Sequence, residues 1–333
     1  MKKIFAILSV MLCLAGCKSS KALLPNVSGK AGEIIVVMEK SDWEGSLGAE
    51  VRGLLACECP YLAQSEPLYT LVNVVPSAFV DLFKVHRNIV FVNVSASAPE
   101  EAKVDYMKNV WAAPQCLVQV VARSSEEAAG AIKANSSKIV NFVEQAERDR
   151  VITNCKLYES KDIALKVEEV FGGSPHFPSG YKLRKLTQDF AWVADEKQYT
   201  NQTILIYRYP AEGTEEEMSL DKIIAHRNTI LKDNVPGMFE NTWMTTSTAF
   251  PLSIEYLKYR GRDFAQVRGM WEVENDFMGG PFVSHSFYSK EGDSVIVAEA
   301  FVYAPKFDKR QYLRQVESIL YSWDWKTADN EEK

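Results

Sequence analysis

Residues 254–303, IEYLKYRGRDFAQVRGMWEVENDFMGGPFVSHSFYSKEGDSVIVAEAFVY, decide the fold class. Ile254 to Tyr259 is rich in β-branched and aromatic residues, breaks at Arg260-Gly261-Arg262, and resumes from Phe264 to Val273. Phe282 to Ser289 breaks likewise at Lys290-Glu291-Gly292-Asp293 and resumes from Val295 to Tyr303. Short polar breaks that contain Gly, set between such runs, are hairpin turns, so this part predicts antiparallel strands. Downstream, Lys306 to Trp323 reads as a closing helix that turns Tyr312, Val316, Ile319 and Trp323 inward. Upstream, Ser219 to Lys232 is amphipathic, and Tyr181–Leu186, Phe190–Ala194 and Thr203–Tyr209 read as strands.

Farther upstream, strands are expected at Glu33–Met38, Leu68–Val75, Ile89–Val94 and Cys116–Ala122, with helices from Asp42 to about Cys57 and from Ser77 to His86. Ser124 and Glu127 form a capping box, after which Ala128, Ile132, Ile139, Val143 and Ala146 recur at helical spacing. A helix around Ile163 to Phe171 then ends at Gly172-Gly173-Ser174-Pro175. The whole predicts an α+β fold with mixed or antiparallel sheets and helices packed mainly on one face. Residues 31–160 and 161–325 form its N-terminal and C-terminal halves, and 326–333 a loose charged tail. Composition agrees with a packed body: of 333 residues, 47% are apolar and 25% charged, far from the polar bias of a disordered chain.

One echo suggests that the halves are duplicates. Strand 68–75, Pro76, Asp81 and His86-Arg87-Asn88 run parallel to strand 203–209, Pro210, Asp221 and His226-Arg227-Asn228. The bland reading makes each tripeptide a helix end, where His and Arg complement the dipole and Asn accepts the left-handed conformation. The functional reading places Arg87 and Arg227, with His86 and His226, in a pseudo-symmetric groove whose guanidinium forks hold carboxylate or phosphate.

The N-terminus tells where the chain works. Met1, Lys2 and Lys3 precede an apolar run from Ile4 to Leu14, too short to span about 30 Å of hydrocarbon. Leu14-Ala15-Gly16-Cys17 follows and resembles a bacterial lipobox. Residues 1–16 are therefore expected to be a lipoprotein signal peptide, Cys17 the acylated first residue, and residues 17–30 a tether, because two or more acyl chains give stable membrane anchoring. Lys18, Ser19 and Ser20 include no acidic cluster of the kind associated with surface export, so the expected location is the outer membrane, periplasmic face. The body also holds Cys57, Cys59, Cys116 and Cys155, an even number in an exported chain; disulfides and small buried thiols are both open readings. Cys57-Glu58-Cys59 has no second Cys pair to complete a metal site, so no metal is expected.

Chemistry is harder to find. The chain carries no Gly-x-Ser-x-Gly, His-Glu-x-x-His, Gly-x-Gly-x-x-Gly or P-loop, so no cofactor is expected, and Ser179-Gly180-Tyr181-Lys182 stands without its companion motifs. With 44 acidic against 38 basic residues the formal charge is -6, which speaks against nucleic acid as a partner. Arg268 to Val273 and Phe277 to Ser284 gather Trp271, Phe and Met around Gly279-Gly280, either as a recognition surface or as a packed hairpin whose glycines supply positive φ.

The chain resembles an uncharacterised family of envelope lipoproteins from Bacteroides and relatives, domain of unknown function 4837. The resemblance rests on Leu24-Pro25, Ser28 to Glu33, His86-Arg87-Asn88-Ile89, Arg268 to Val273, Met278 to Ser284, Phe301 to Pro305, and Lys309-Arg310 with Tyr312, Arg314, Gln315 and Glu317. It covers nearly all of the mature body; Met270 stands where the family has Leu, and Thr242-Trp243-Met244 departs from Ser-Tyr-Met. It implies an envelope lipoprotein and brings no activity or catalytic residue. The expected function is ligand binding or assembly at the membrane, with an envelope protein or glycan as partner; an envelope hydrolase whose site is built from distant residues is the alternative.

Overall fold

The structure is a computed structural model and describes residues 23–326. The expected signal peptide, Cys17 and residues 327–333 lie outside the described residues.

The N-terminal half is built on a five-stranded sheet of β1 (Glu33–Val37), β2 (Thr70–Val74), β3 (Asn88–Val94), β4 (Lys103–Lys108) and β5 (Cys116–Ala122), ordered β2-β1-β3-β5-β4. All neighbours are parallel except β4, which runs antiparallel to β5. The continuous apolar run of β1 follows from burial on both faces. Ile34, Val36 and Met38 meet the main core with Leu47, Val51, Ile132 and Val143, whereas Ile35 and Val37 meet Phe79, Phe83 and Trp111. Helices α1 (Lys40–Glu44), α2 (Ser46–Leu55) and the four-residue α3 (Asp81–Lys84) connect the first strands; α4 (Ser125–Ala134) and α5 (Ser136–Leu157) follow the last.

The C-terminal half opens with α6 (Lys161–Phe171) and the two-residue β6 (Gly173–Ser174). Its eight-stranded sheet comprises β7 (Lys182–Leu186), β8 (Phe190–Lys197), β9 (Thr200–Pro210), β10 (Met244–Thr246), β11 (Ser253–Tyr259), β12 (Arg262–Val273), β13 (Gly279–Tyr288) and β14 (Ser294–Tyr303), and every pairing is antiparallel. Helices α6 and α8 (Arg310–Tyr321) cover one face with the end of α5, and α7 (Leu220–Asn234) covers the other. A short β15 (Asp324–Trp325) pairs with β6. The fold is thus α+β with one mixed and one antiparallel sheet, each with most of its helices on one face. No helix among the described residues is long and apolar enough to cross a membrane.

Helix α5 ties the halves together. Its 22 residues span about 33 Å, so Ile139 and Val143 enter the first core while Ile152 and Cys155 enter the second. Across the same seam Glu66 caps α8: its carboxylate accepts from Lys309 N at 2.7 Å and Arg310 N at 2.9 Å. Arg314 of α8 donates to Glu144 Oε1 at 2.7 Å and to Leu68 O at 3.2 Å.

Several expectations need correction. Within the stretch expected as a tether, residues 25–28 are bonded to the body: Ala113 N donates to Pro25 O, and Ser28 exchanges backbone bonds with Val85 and Arg87. The helical stripe from Ala128 to Ala146 is broken at Asn135, whose side chain turns back to Ala131 O at 2.9 Å. The helix expected at 77–86 is a single 3-10 turn from Pro76 followed by α3. The halves are not repeats: β2 is the edge of a largely parallel sheet, β9 lies inside an antiparallel one, and only the second His-Arg-Asn lies within a helix.

Candidate functional site

The aromatic stretch around Trp271 builds a strongly apolar hollow. Strands β12, β13 and β14 come so close here that a Cβ on Gly280 would stand 2.1 Å from Val302 O and 3.0 Å from Trp271 Nε1. The paired glycines therefore serve close approach rather than a turn; the positive φ of the β12–β13 turn belongs to Asn275, at 60°. Trp271 is itself buried, donates Nε1 to Val302 O at 3.3 Å, and meets the Phe301 ring edge-on at 5.2 Å.

On one side of this packed floor lies a cavity of about 190 Å³, walled by Trp192, Val235, Met244, Trp271, Met278 and Phe301. Its walls are nearly all carbon, and the buried Trp192 Nε1 has no hydrogen-bond partner. On the other side a wider, more open cavity of about 500 Å³ shares Trp271, Met278 and Tyr303. Phe277, in the wall of the wider cavity, projects fully into solvent, with Met238 and Phe239 exposed on the facing loop. The two loops touch, Glu274 N donating to Trp243 O at 2.9 Å. Glu240 and Glu274 on these loops, and Glu272 near the end of β12, have no ion pair among the described residues, so the apolar rim is also acidic.

The residues singled out in the sequence do not converge. His86 is sealed beneath Gly29 (φ +90°), with Nε2 2.9 Å from Glu33 Oε1 and Nδ1 3.0 Å from Asn88 O. Arg87 lies on the seam and donates to Glu147 Oε2 at 2.9 Å. Asn88 begins β3, fully buried, and donates Nδ2 to Glu147 Oε1 at 2.6 Å; it is not a helix end. His226 stacks on Tyr209 at 3.9 Å and lines neither apolar cavity. Arg227 is wholly buried beneath α7: Nε and Nη2 grip Glu299 at 2.9 and 2.7 Å, and Nη1 donates to Thr246 Oγ1 at 2.8 Å. Tyr207 donates to the same carboxylate at 3.1 Å, and Phe282 lies 4.0 Å under the guanidinium. A groove shared by Arg87, Arg227 and Trp271 does not exist, because the three face different cavities or none.

The four body cysteines are free. Cys116 faces the first core and Cys155 the second, and burial pushes both thiols up to about 12; burial likewise raises Cys59 to about 11. Cys57 and Cys59 flank the bridge residue Glu58, one exposed and the other half-buried. The disulfide reading is thereby replaced by the buried-thiol reading for Cys116 and Cys155.

The seam has no signature in the sequence pattern. Glu147 is buried among Gly32 N, Arg87, Asn88 and Arg150, and the only hint was its place beside Ala146 on the apolar stripe of α5. Burial works against the charge of Glu144, yet Arg314 and the Tyr69 hydroxyl hold its carboxyl below the usual range. Nearby, Arg268 pairs with Glu317, and Gln266 reaches Tyr321 and His285. Burial, then Arg262 and Arg268, keep His285 neutral. No described imidazole hydrogen-bonds a Ser or Cys side chain; only the backbone N–H of His176 does, donating to Ser322 Oγ at 2.9 Å.

Residues 160–322 match the family model described as a domain of unknown function, DUF4837. Residues 27–156 match a second one, DUF8532, so the stretches Ser28 to Glu33 and His86 to Ile89 belong with that match and not with the first. No curated protein matches the chain. Among solved structures it is similar to the Ran-binding protein Mog1p of Saccharomyces cerevisiae, at 10% identity and TM-score 0.31 over 46% of this chain and 90% of that one. It is also similar to a protein of Bacteroides thetaiotaomicron VPI-5482, at 12% identity and TM-score 0.26 over 47% and 46%. Human STARD10 shares 9% identity at TM-score 0.24 over 49% and 80%. Overlaps this loose say nothing about activity.

Proposed function

We propose that this chain, whose residues 160–322 belong with the DUF4837 family, is an envelope lipoprotein that is anchored through Cys17 and binds a partner protein at the hollow beside Trp271. Its working place is the periplasmic face of the outer membrane. The anchor rests on Leu14-Ala15-Gly16-Cys17 behind a basic start and an apolar run.

The observation that carries binding is an apolar cavity with exposed Met238 in its wall, next to exposed Phe239, and exposed Phe277 in the wall of the wider cavity that shares Trp271. Aromatic and Met side chains left in water beside a preformed hollow cost free energy that a partner recovers by covering them. The carbon walls favour an apolar side chain over a glycan, and Glu240, Glu272 and Glu274 favour Lys or Arg beside it.

A photocrosslinking amino acid at Phe277 tests the site in cells, with the same probe at Leu165 on α6 as the control. A discrete adduct at 277, absent at 165 and weakened by E272K/E274K, supports the reading. Equal adducts at both positions, or indifference to the charge reversal, overturns it. The anchor is tested apart, by Cys17→Ser, which should release the protein to the soluble fraction.

A further inference from the structure

The seam between the halves holds a further cavity, of about 380 Å³, whose lining is rich in arginine. We infer that it is a binding site for a phosphate ester, gripped by Arg87 between the fixed charges of Arg150 and Arg314. This inference stands independently of the Trp271 hollow.

Three arginines line the cavity, Arg87, Arg150 and Arg314, against one carboxylate, Glu147. Two of the three are already fully engaged. Arg150 donates to Pro114 O, Asn88 Oδ1 and Arg87 O at 2.9, 3.0 and 2.7 Å and lies 3.1 Å from Glu147. Arg314 donates to both Glu144 oxygens, Leu68 O and Gln311 Oε1. Their charges are therefore held in place rather than left to swing, and positive charge fixed in a partly dry site attracts an anion more strongly than the same charge in water.

Arg87 differs. The one hydrogen bond of its side chain among the described residues goes to Glu147, and its buried Nε has no acceptor. Gln311, from the other half, likewise has a buried Nε2 without a partner, pressed so close to Gly32 that a Cβ there would stand 1.7 Å from it. A buried donor left unpaired is costly, and the missing acceptors are those that a phosphate oxygen supplies. The cavity is larger than inorganic phosphate needs, and Val151, Cys155 and Pro178 form an apolar part of its wall, so the fit is to a phosphate carrying an organic group.

Two sources share this chemistry: a soluble phosphate ester and the headgroup of an anionic lipid. Ala31, which lines the cavity, lies only 14 residues after Cys17, a span of at most about 50 Å of extended chain, so a membrane at the anchor is within reach.

The test uses the full chain in neutral detergent micelles, with glycerol 3-phosphate followed by phosphorus NMR line broadening and thermal unfolding, and the Cys17→Ser chain for co-sedimentation with phosphatidylcholine vesicles with or without phosphatidic acid. Arg87→Gln should weaken binding about tenfold or more, Arg87→Lys less, and Arg208→Gln, outside the cavity, not at all. Because Arg87 also holds Glu147, Gln315→Glu provides a second probe: it adds a like charge at the exposed lip, breaks no bond, and should weaken binding as well. Binding of the ester alone assigns a soluble ligand; binding of phosphatidic acid vesicles that the ester displaces assigns a lipid headgroup. Absence of saturable binding to either, or equal loss in Arg87→Gln and Arg208→Gln, overturns the site.

Discussion

The two His-Arg-Asn tripeptides use the same three residues to opposite ends. Within α7, Arg227 is completely dehydrated and commits all three of its nitrogens to Glu299 and Thr246. Just before β3, the Arg87 side chain makes one bond, to Glu147, lines a cavity and keeps a buried Nε unpaired. The difference comes from what surrounds each arginine. Arg227 projects from the middle of a 15-residue helix onto a sheet that presents Glu299, Tyr207 and Thr246, whereas Arg87 emerges where two halves meet and packing is incomplete. A saturated arginine is structural; an unsaturated one beside a cavity is available.

The comparison breaks most visibly at Arg227. Arg227→Ala leaves Glu299 as an uncompensated buried charge and should cost about 3–5 kcal/mol in urea unfolding, with Glu299→Ala similar. The double variant Arg227→Met/Glu299→Leu should lose far less than the sum, since no charge is stranded. If the single variants lose under about 1 kcal/mol, the pair is not the anchor of α7 that its burial implies.

Glu66 comes next. It reaches from the N-terminal half to cap α8, and Glu66→Ala should cost about 1–2 kcal/mol and loosen the seam, seen as faster amide exchange in the first turn of α8 than in α7. Equal exchange in both helices would mean that α8 does not depend on its cross-half cap.

Arg87→Gln sharpens the contrast with Arg227. Glu147 keeps Arg150, Asn88 and Gly32 N, so the loss should be about 1 kcal/mol by the same urea measurement, although the two arginines share a tripeptide. A loss as large as that of Arg227→Ala would make Arg87 a structural group and remove the distinction between saturated and unsaturated arginines.

How much of this was readable in advance follows the range of the interactions. The hairpins 253–273 and 279–303 and the strand at Cys116–Ala122 stand where alternation and turn residues placed them, because a hairpin is decided within a few residues. Strand β4 was missed: its burial is partial, and Lys103, Asp105 and Lys108 hide the pattern. The tripeptide echo misled because His-Arg-Asn has no conformation of its own; Pro76 and the short loop after it leave room for only four residues of α3, whereas Ser219 caps a full helix through Lys222 N. Glu147, Glu299 and Gln311 were invisible because each acquires meaning only from a partner more than fifty residues away.

The smallest effect lies where β15 meets β6, away from both tripeptides. His176 Nε2 is 2.9 Å from Asp324 Oδ2, Nδ1 meets the Glu159 carboxylate, and Lys156 Nζ lies 2.9 Å from the same Asp324 oxygen. Burial opposes the His176 charge, but the bonds to Asp324 and Glu159 outweigh it and raise the pKa above 6.5. The stabilisation is therefore fully present below 6.5 and is lost as pH rises through the folded-state value. Asp324 behaves in the opposite sense: its hydrogen bond from His176, followed by that from Lys156, depresses its pKa below 3.8, so its share is present above 3.8 and is lost on acidification. The latch should be tightest between these two values. Both groups are partly exposed and screened by salt, so the whole effect should stay near or below about 1 kcal/mol. Thermal unfolding from about pH 6 to 8 should show a falling midpoint that His176→Gln flattens and that high salt diminishes. If His176→Gln keeps the wild-type slope, the imidazole adds no charge to the latch, and β15 is held by its backbone pairing and by Lys156 on Asp324.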